Sequence, residues 1–260
     1  MSGSVYCTAE RRGRVFLLTI NRPEVMNALH RPANLQMQAA LDDFAADPEL
    51  WIAIITGAGP RAFCAGNDLK CQAQGGDTTP VPCGFGGIVG RFDLNKPVIA
   101  AVNGVALGGG FEIALACDLI VAAENAVFGL PEPRVGLAAL GGGLLRLPRQ
   151  IPLKRAMEMI LTGRHVPARE GLSLGFVNDV VPEGQALAAA ERWAAEIAAR
   201  SPMSIRASKE VVRRGLDMDL DAAFHAHRDF PAVQAMRASE DFIEGPRAFA
   251  EKRPPWWRGR

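Results

Sequence analysis

Residues 96–118, KPVIAAVNGVALGGGFEIALACD, constrain the fold more than any other part of this sequence. An apolar run, Val98–Val102, leads through Asn103 and Gly104 to three consecutive glycines, and a second apolar stretch follows them. This order predicts a strand, a glycine-rich turn and a helix that begins in the turn. The first N–H groups of a helix lack partners within it and that end is locally positive, so the turn predicts a site for developing negative charge. The alternative is that the glycines only let the helix pack closely against a strand.

Glu112 favours the anion site over simple packing. It lies near the start of the expected helix, between Phe111 and Ile113, in a stretch otherwise nearly free of charge. A buried carboxylate is costly unless it is hydrogen-bonded or neutralised, and such surroundings raise its pKa into a range useful for proton transfer. The alternative is an exposed glutamate placed favourably near the positive end of a helix. We predict that Glu112 is a catalytic group.

Glu132 follows a short expected strand at residues 127–128 and stands between Pro131 and Pro133. Prolines fix φ, so they hold this glutamate in a defined loop. By itself Glu132 resembles any surface-loop glutamate. Together with Glu112, it predicts two carboxylates around one pocket, one delivering a proton and one accepting it.

Further strand and helix patterns surround this segment. Strands are expected at Val15–Ile20 and at residues 51–56 and 119–122, and an amphipathic helix precedes residue 47. Strands that end in Gly or Asn turns and are separated by helices indicate an α/β core. Helical patterns dominate from about residue 183, with stretches at residues 187–199, 205–216 and 220–238, and predict a C-terminal helical segment that caps the core.

Composition excludes several classes of function. The formal net charge of +1 argues against a nucleic-acid or membrane-surface partner, since either would require a clear basic excess. The longest weakly polar stretch, residues 97–111, is shorter than the ~20 apolar residues that span a bilayer. The N-terminus shows no apolar signal segment, and five irregularly spaced cysteines form no disulfide framework, so we expect a cytoplasmic protein.

Three short motifs compete with the two-carboxylate reading. Cys64, Cys71 and Cys83 lack the CxxC spacing or nearby histidine of a zinc site, so no metal is expected. The glycine clusters do not form GxGxxG with an acidic residue ~20 positions later, which sets NAD aside. Ser173 stands in a GxSxG pattern, but a helix is expected before it and a strand after it, the reverse of a hydrolase elbow.

Four blocks of sequence resemble the crotonase family, the enoyl-CoA hydratase/isomerase superfamily. They are residues 21–29 (NRPEVMNAL), 62–69 (AFCAGNDL), 95–118 and 128–136 (FGLPEPRVG), and the resemblance covers almost the whole chain. Residues 142–149 and 239–253 are especially similar to the carnitinyl-CoA dehydratases of that family.

The resemblance implies a fold and a substrate class. Residues 1–195 would form a spiral core of ββα turns that holds an acyl-CoA thioester. Residues 196–260 would form a helical region that builds homotrimers, usually paired into hexamers. No cofactor is implied, because coenzyme A is part of the substrate.

The resemblance also implies roles for four residues of the reaction centre. The backbone N–H groups of Asn67 and Gly109 match the oxyanion hole that holds the thioester oxygen as it gains enolate charge. Glu112 matches the glutamate that activates the water attacking Cβ. Glu132 matches the glutamate that protonates Cα.

Five further residues match positions that contact substrate or coenzyme A in the family. Asp68, Leu69 and Lys70 follow the oxyanion-hole residue directly. Phe249 and Lys252 stand in the C-terminal tail.

Two departures from the family pattern concern acyl specificity. Ala139 and Leu140 replace the usual proline–glycine pair, and Asn67 stands where a small residue is common. We expect an enoyl-CoA hydratase that adds water syn across a 2-enoyl-CoA double bond. The alternatives are carnitinyl-CoA dehydration or double-bond isomerisation on the same scaffold, or acyl-CoA binding without turnover.

Overall fold

The computed structural model describes residues 5–260 of the chain. Ten strands are present in these residues: β1 (Cys7–Arg12), β2 (Val15–Ile20), β3 (Ile52–Gly57), β4 (Ala62–Cys64), β5 (Val98–Val102), β6 (Val105–Leu107), β7 (Leu119–Ala123), β8 (Val127–Gly129), β9 (Val166–Pro167) and β10 (Asp179–Val181). Residues 1–4, with which the expected spiral core begins, lie outside the described part.

Eleven α-helices separate or follow these strands in the described residues. They are α1 (Arg31–Ala46), α2 (Leu69–Ala73), α3 (Gly109–Ala116), α4 (Gly143–Gln150), α5 (Leu153–Thr162), α6 (Ala168–Leu174), α7 (Ala186–Ala198), α8 (Pro202–Gly215), α9 (Leu220–Ala226), α10 (Pro231–Arg237) and α11 (Glu240–Ala250). Short 3-10 turns occur at Pro23–Val25, Phe85–Gly87, Glu132–Val135 and His227–Asp229.

The strands form two sheets. The larger sheet has the order β1-β2-β3-β5-β7-β10, and all its neighbours are parallel except the antiparallel pair β1 and β2. The smaller sheet has the order β4-β6-β8-β9, with β9 antiparallel to β8. Parallel neighbours need crossover connections, which here run through the second sheet and the helices.

Three successive turns of the chain each contribute one strand to each sheet. β3 is followed by β4, β5 by β6 and β7 by β8, and a helix comes after each pair. This succession is a spiral of ββα turns, so the expected α/β fold is confirmed. The spiral places the residues that follow β4, β6 and β8 at one edge of the molecule, because these three strands are parallel neighbours.

Glycines let successive turns of the spiral pack closely. Gly104 leaves no room for a side chain, since a Cβ there would overlap the carbonyl oxygen of Arg61. Asn103, beside it, donates from Nδ2 to the carbonyls of Gly57 and Gly59 at 3.0 and 2.7 Å. The Asn-Gly turn therefore joins two neighbouring layers as well as reversing the chain.

Two hydrophobic cores cover the two faces of the larger sheet. Buried side chains of α1 and α3, including Met37, Phe44 and Phe111, pack on one face. The alanine-rich α7 packs on the other face, where Ala190 and Ala194 belong to the same cluster as Ile54. No helix in the described residues is long and apolar enough to cross a membrane.

A helical C-terminal region is present, as expected, but its third stretch differs from the prediction. Residues 220–238 do not form one helix, because Pro231 lacks an N–H and begins a new helix, α10. A small separate cluster around Phe230 and Val233 packs α10 on α8. The domain boundary near residue 195 stays a prediction.

The two tryptophans of the tail, Trp256 and Trp257, differ in exposure. Trp257 donates from Nε1 to the carbonyl of Ala199 at 3.0 Å and packs beside Gly245. Trp256 is 73% exposed. The tail thus folds back on its own helices, and only one of its large rings lies open.

Candidate active site

The start of α3 packs against the end of β4 with no space for side chains. A Cβ on Gly110 would overlap the carbonyl oxygen of Cys64, and a Cβ on Gly66 would lie 2.8 Å from the carbonyl oxygen of Leu107. Close packing is therefore one reason for these glycines. The Cβ on Gly66 would also lie 3.1 Å from the backbone nitrogen of Gly109. The chain that leads into Asn67 therefore runs directly beside Gly109.

Two backbone N–H groups at this junction stay available. In the bridge between Leu29 and Asn67, the hydrogen bonds come from the N–H groups of Leu29 and Asp68, not from that of Asn67. Gly109 is the first residue of α3, so its N–H has no partner within the helix. Within residues 5–260 neither N–H donates to another group of the chain. The packing and anion-site readings of the glycines are therefore compatible.

Glu112 lies in the first turn of α3 and is buried, with 4% of its surface exposed. Its Oε1 accepts a hydrogen bond of 2.8 Å from the N–H of Gly143. Burial raises the pKa of Glu112 to about 7, although the hydrogen bond from Gly143 acts in the opposite direction. A carboxyl group with this pKa exchanges protons near neutral pH.

The glycines before α4 form the other wall around Glu112. A Cβ on Gly141 would overlap Oε2 of Glu112, and a Cβ on Gly143 would lie 3.1 Å from Oε1. The sequence reasoning missed this contact. The three consecutive glycines at residues 141–143, which precede an amphipathic helix as glycines 108–110 precede α3, were the signal available in the sequence.

Glu132 begins a 3-10 turn directly after β8, between two prolines. A Cβ on Gly108 would lie 2.9 Å from Oε1 of Glu132, so this carboxyl group reaches the glycine turn that begins the helix of Glu112. Its Oε2 is buried and has no hydrogen-bond partner in the described residues. Burial raises the pKa of Glu132. The charge of Glu132 also contributes to the raised pKa of Glu112, after burial.

A cavity of about 560 Å³ opens beside this centre. Its walls come from the start of α1, from Asn67 after β4, from the loop before β5 and from the start of α4; they include Asn34, Asn67, Val81, Phe85, Val89, Phe92, Leu140, Gly141, Leu145 and Arg146. Gly141 joins the cavity to the centre because it also contacts Glu112. The ring of Phe85 lies against Gly109, where a Cβ would overlap it. The two glutamates lie behind the wall and not among its lining residues.

Asp68, predicted to contact the substrate, is committed to contacts within the protein. It is buried, forms an ion pair of 3.0 Å with Arg22 and accepts a hydrogen bond of 3.0 Å from the N–H of Cys71. Burial acts to raise its pKa, yet the hydrogen bonds from Cys71 and Arg22 hold the pKa of Asp68 below its usual range. Asp68 therefore caps α2, and its contact with substrate stays a prediction.

The other predicted coenzyme A residues lie in two separate places. Leu69 and Lys70 are exposed at the start of α2. Phe249, near the end of α11, is 87% exposed, and Lys252 follows that helix. No hydrogen bond or ion pair in the described residues joins the second pair to the first.

The competing motifs lack the required geometry. Ser173 lies inside α6, where its hydroxyl donates to the carbonyl of Arg169 at 3.1 Å, and Gly175 ends the helix with a φ of 100°. A helix C-cap explains this pattern, and a nucleophile elbow does not. Between Val5 and Arg260, no three His, Cys, Asp or Glu side chains cluster as a metal site requires.

Comparisons with known proteins agree with this geometry. The model of the enoyl-CoA hydratase/isomerase family matches residues 10–260. A carnitinyl-CoA dehydratase from Salmonella typhi is 44% identical over 267 aligned residues, which cover all of both chains.

Solved structures show the same fold. An enoyl-CoA hydratase from Mycobacterium tuberculosis H37Rv superposes with a TM-score of 0.92 at 42% identity, over 98% of this chain and 99% of that one. A carnitinyl-CoA hydratase from Mycobacterium avium gives a TM-score of 0.77 at 43% identity, over 98% and 99%. The chain belongs to the enoyl-CoA hydratase/isomerase family.

Proposed function

We propose that this protein is an enoyl-CoA hydratase, a hydro-lyase that adds water reversibly and syn across the double bond of a 2-enoyl-CoA thioester. The observation that carries the proposal is that two carboxyl groups with raised pKa values meet at the start of α3: Glu112, which is buried in the first turn of that helix, and the half-buried Glu132, which reaches Gly108. Two carboxyl groups suit hydration, since one accepts a proton from water while the other delivers a proton to carbon.

The oxyanion hole supplies the electrophilic part of the reaction. The free N–H groups of Asn67 and Gly109 would donate to the thioester oxygen and stabilise it as it gains enolate charge. Loss of one such donor typically costs ~2.7–4 kcal/mol of transition-state stabilisation. Because both donors are backbone groups fixed by the junction of β4 and α3, they need little reorganisation during the reaction.

The two glutamates would divide the proton transfers. Glu112 takes a proton from the water whose oxygen bonds to Cβ, and Glu132 gives its proton to Cα. The double bond is thereby replaced by a C–OH and a C–H bond, and one proton has moved from Glu132 to Glu112. Return of that proton restores the starting state.

The raised pKa values of both groups suit proton exchange. Burial disfavours two charges side by side, and each carboxylate disfavours ionisation of the other. Both carboxyl groups have raised pKa values, and that of Glu112 lies near neutral pH, where a group that exchanges protons is most effective.

A second candidate is the dehydration of a carnitinyl-CoA thioester by the same groups. It is favoured by the 44% identity to a carnitinyl-CoA dehydratase over the full length of both chains. Isomerisation of the double bond, which a single base can perform, and acyl-CoA binding without turnover are the remaining alternatives.

The test is the ultraviolet absorbance of the conjugated thioester in crotonyl-CoA after enzyme is added. We expect the absorbance to fall with the wild-type protein and to fall at least about a hundredfold more slowly with Glu112→Gln or Glu132→Gln. Glutamine keeps the size of each side chain but cannot take up or release the proton.

Two outcomes would contradict hydration. If crotonyl-CoA binds to the wild type but its absorbance does not change, hydration of short enoyl-CoA thioesters is excluded, and carnitinyl-CoA and 3-enoyl-CoA substrates come next. If only one of the two variants is slow, a single base suffices and isomerisation is favoured.

Further parts of the proposal concern assembly and location. We propose a homotrimer or a pair of trimers built by the C-terminal helices, working in the cytoplasm without a cofactor. Lys70, Phe249 and Lys252 would contact coenzyme A, with the last two reaching it from the C-terminal tail. Light scattering after gel filtration measures the assembly, and Lys70→Ala and Lys252→Ala test the contacts through the KM for acyl-CoA.

A further inference from the structure

The loop before β5 presents a single side chain where it meets the start of α3. Residues 84–87 read Gly-Phe-Gly-Gly, so Phe85 is the only one of the four with a side chain. Gly84, Gly86 and Gly87 have φ values of 73°, 63° and 64°, which lie in the left-handed region that favours glycine. The loop therefore follows a path that larger residues would disfavour, and it carries one aromatic ring along that path.

Helix α1 holds this loop through the buried amide of Asn34. Asn34 is 7% exposed, and its Oδ1 accepts a hydrogen bond of 2.6 Å from the N–H of Gly86. Its Nδ2 donates to the carbonyl of His30 at 3.2 Å, so both ends of the amide are engaged. A buried N–H that loses its acceptor is costly, and we therefore expect loss of this amide to shift the loop.

The loop also packs directly on two helices. Gln38 of α1 accepts a hydrogen bond of 3.0 Å from the N–H of Cys83. A Cβ on Gly87 would overlap Cα of Gln38, and a Cβ on Gly86 would lie 2.6 Å from Cδ1 of Ile113 in α3. The loop is thus held on both sides of its aromatic residue by contacts that leave little room for movement.

The ring of Phe85 lies where a side chain on Gly109 would lie. The three atoms nearest to a Cβ built on Gly109 all belong to this ring. Part of the ring packs against the core, and the ring also lines the cavity of about 560 Å³. The N–H of Gly109 is one of the donors that would hold the thioester oxygen, and only the carbonyl carbon separates that oxygen from Cα of the acyl group. Phe85 therefore brings the aromatic surface of the cavity wall close to the place of acyl Cα.

We propose that Phe85 is a specificity-determining residue that disfavours acyl groups branched at Cα, and that Asn34 is the residue that positions it. An unbranched chain leaves the ring in place, whereas a methyl group on Cα would have to displace it. Displacement is costly because the ring is packed and the backbone of its loop is fixed. The inference rests on the proposed function in one respect, namely that the thioester lies at Asn67 and Gly109.

The test compares the binding of two saturated thioesters, butyryl-CoA and 2-methylbutyryl-CoA, which differ by one methyl group on Cα. By isothermal titration calorimetry we expect the wild type to bind butyryl-CoA at least about tenfold more tightly, which is the lower end of the discrimination that one such group gives in an enzyme pocket. The extra methyl group adds apolar surface that would by itself favour the branched thioester. The expected order therefore reports steric exclusion.

Variants at Phe85 test the ring itself. Phe85→Ala removes the ring and should reduce the preference to about twofold or less. Phe85→Tyr keeps a ring of the same width and should retain the preference. Leu145→Ala, an exposed change elsewhere in the cavity wall, is the matched control and should leave the preference unchanged.

Variants at Asn34 test the positioning of the ring. Asn34→Leu has a similar size but no acceptor for the N–H of Gly86, and it should reduce the preference severalfold. Asn34→Asp keeps an oxygen at this place and should retain most of the preference, a rescue that general loss of stability would not give. Circular dichroism establishes that each variant is folded. Gln38→Ala, which releases the other hydrogen bond of the loop, replaces Asn34→Leu if that variant does not fold, and it should shift the preference in the same direction.

Equal or tighter binding of 2-methylbutyryl-CoA by the wild type would overturn the inference, as would an unchanged preference in Phe85→Ala. An unchanged preference in a folded Asn34→Leu protein would overturn the role of Asn34. Absence of the preference in a wild type that hydrates crotonyl-CoA contradicts this inference alone. The ligands are saturated and binding needs no turnover, so an intact preference without hydration contradicts the proposed function alone.

Discussion

Glu112 and Glu132 reach the same glycine turn from two regions that are built differently. Glu112 is fixed in a buried helix, and the backbone of Gly141 and Gly143 encloses its carboxyl group. Glu132 stands in a half-buried 3-10 turn between prolines, and its Oε2 has no hydrogen-bond partner in the described residues. One carboxyl group is therefore positioned by packing, and the other by the restriction of its own backbone.

The packed region around Glu112 should tolerate substitutions less well than the loop around Glu132. Gly110→Ala places a methyl group onto the carbonyl oxygen of Cys64. Alanine favours a helix over glycine by about 1 kcal/mol, but overpacking costs typically 1–3 kcal/mol and occasionally more, and here the contact is with rigid backbone. We expect a net loss of about 3 kcal/mol in the free energy of unfolding, measured by chemical denaturation.

Gly215→Ala is the control for that substitution. Gly215 ends α8, and a Cβ there would meet nothing closer than 3.9 Å. This variant should be as stable as the wild type or slightly more stable. A Gly110→Ala protein with wild-type stability would show that the junction of β4 and α3 yields, and the comparison between the two regions would fail.

A smaller effect is expected where the backbone encloses Glu112. Gly141→Ala adds a methyl group that overlaps Oε2 of Glu112 and displaces the carboxyl group. Because misplacement of a reacting group by about 1 Å can lower a rate about a hundredfold, we expect a loss of that size in kcat for crotonyl-CoA hydration.

The control for Gly141→Ala is Ala138→Ser, an exposed change in the same loop, which should leave kcat within about twofold. Undiminished kcat in Gly141→Ala would mean that the position of Glu112 does not limit the reaction.

The two glutamates should also differ in how their protonation affects the stability of the fold. Burial raises the pKa of Glu112 from 4.5 to about 7, so the folded protein holds a proton that the unfolded chain has released between these pH values. The stability contributed by this proton is present below pH 4.5 and is lost as the pH rises to about 7. Glutamine has no such dependence. At pH 8 we expect Glu112→Gln to be more stable than the wild type by about 2 kcal/mol.

Denaturation at pH 4.5 and pH 8 measures this difference. The gain should disappear at the lower pH, and Glu132→Gln should gain less at pH 8 because Glu132 is only half-buried. A gain in Glu112→Gln that is the same at both pH values would exclude ionisation as its cause.

The smallest effect on stability and rate is expected in the loop that carries Glu132. Pro133→Ala frees one φ angle beside Glu132, and loss of a compatible proline typically costs about 0.4–1 kcal/mol of stability. We expect kcat to fall about threefold or less in the crotonyl-CoA assay. A hundredfold loss would show that Glu132 depends on its backbone as strictly as Glu112 depends on packing.

The sequence predicted those elements whose signals are local. Val98–Val102 and Ala168–Leu174 form the expected strand and helix, since apolar runs and glycine turns act within a few residues. The burial of Glu112 followed from its apolar neighbours. Pro231 is also a local signal for the end of a helix, but the apolar periodicity on both sides of it led to the prediction of one continuous helix.

Contacts between distant parts of the chain were not predictable in the same way. Gly143 and Glu112 are far apart in sequence, and no local pattern in either segment indicates that the two residues are in contact. The same holds for Arg146 and Val89, and for Phe85 against Gly109. Of the second sheet, the residue patterns predicted only β8, at residues 127–128, because its other strands, such as Ala62–Cys64, are too short to show a period.

The hydrogen bond from the main chain of Gly143 to Glu112 has a consequence for protein engineering. An amide N–H is supplied by any residue except proline, so the hydrogen bond to Glu112 requires of position 143 a small residue and not a particular side chain. The side chains of Leu140 and Phe92 in the neighbouring cavity wall take no part in the proton transfers. Leu140 and Phe92 can therefore be randomised in a library to alter substrate range, while the rate-determining groups are left in place.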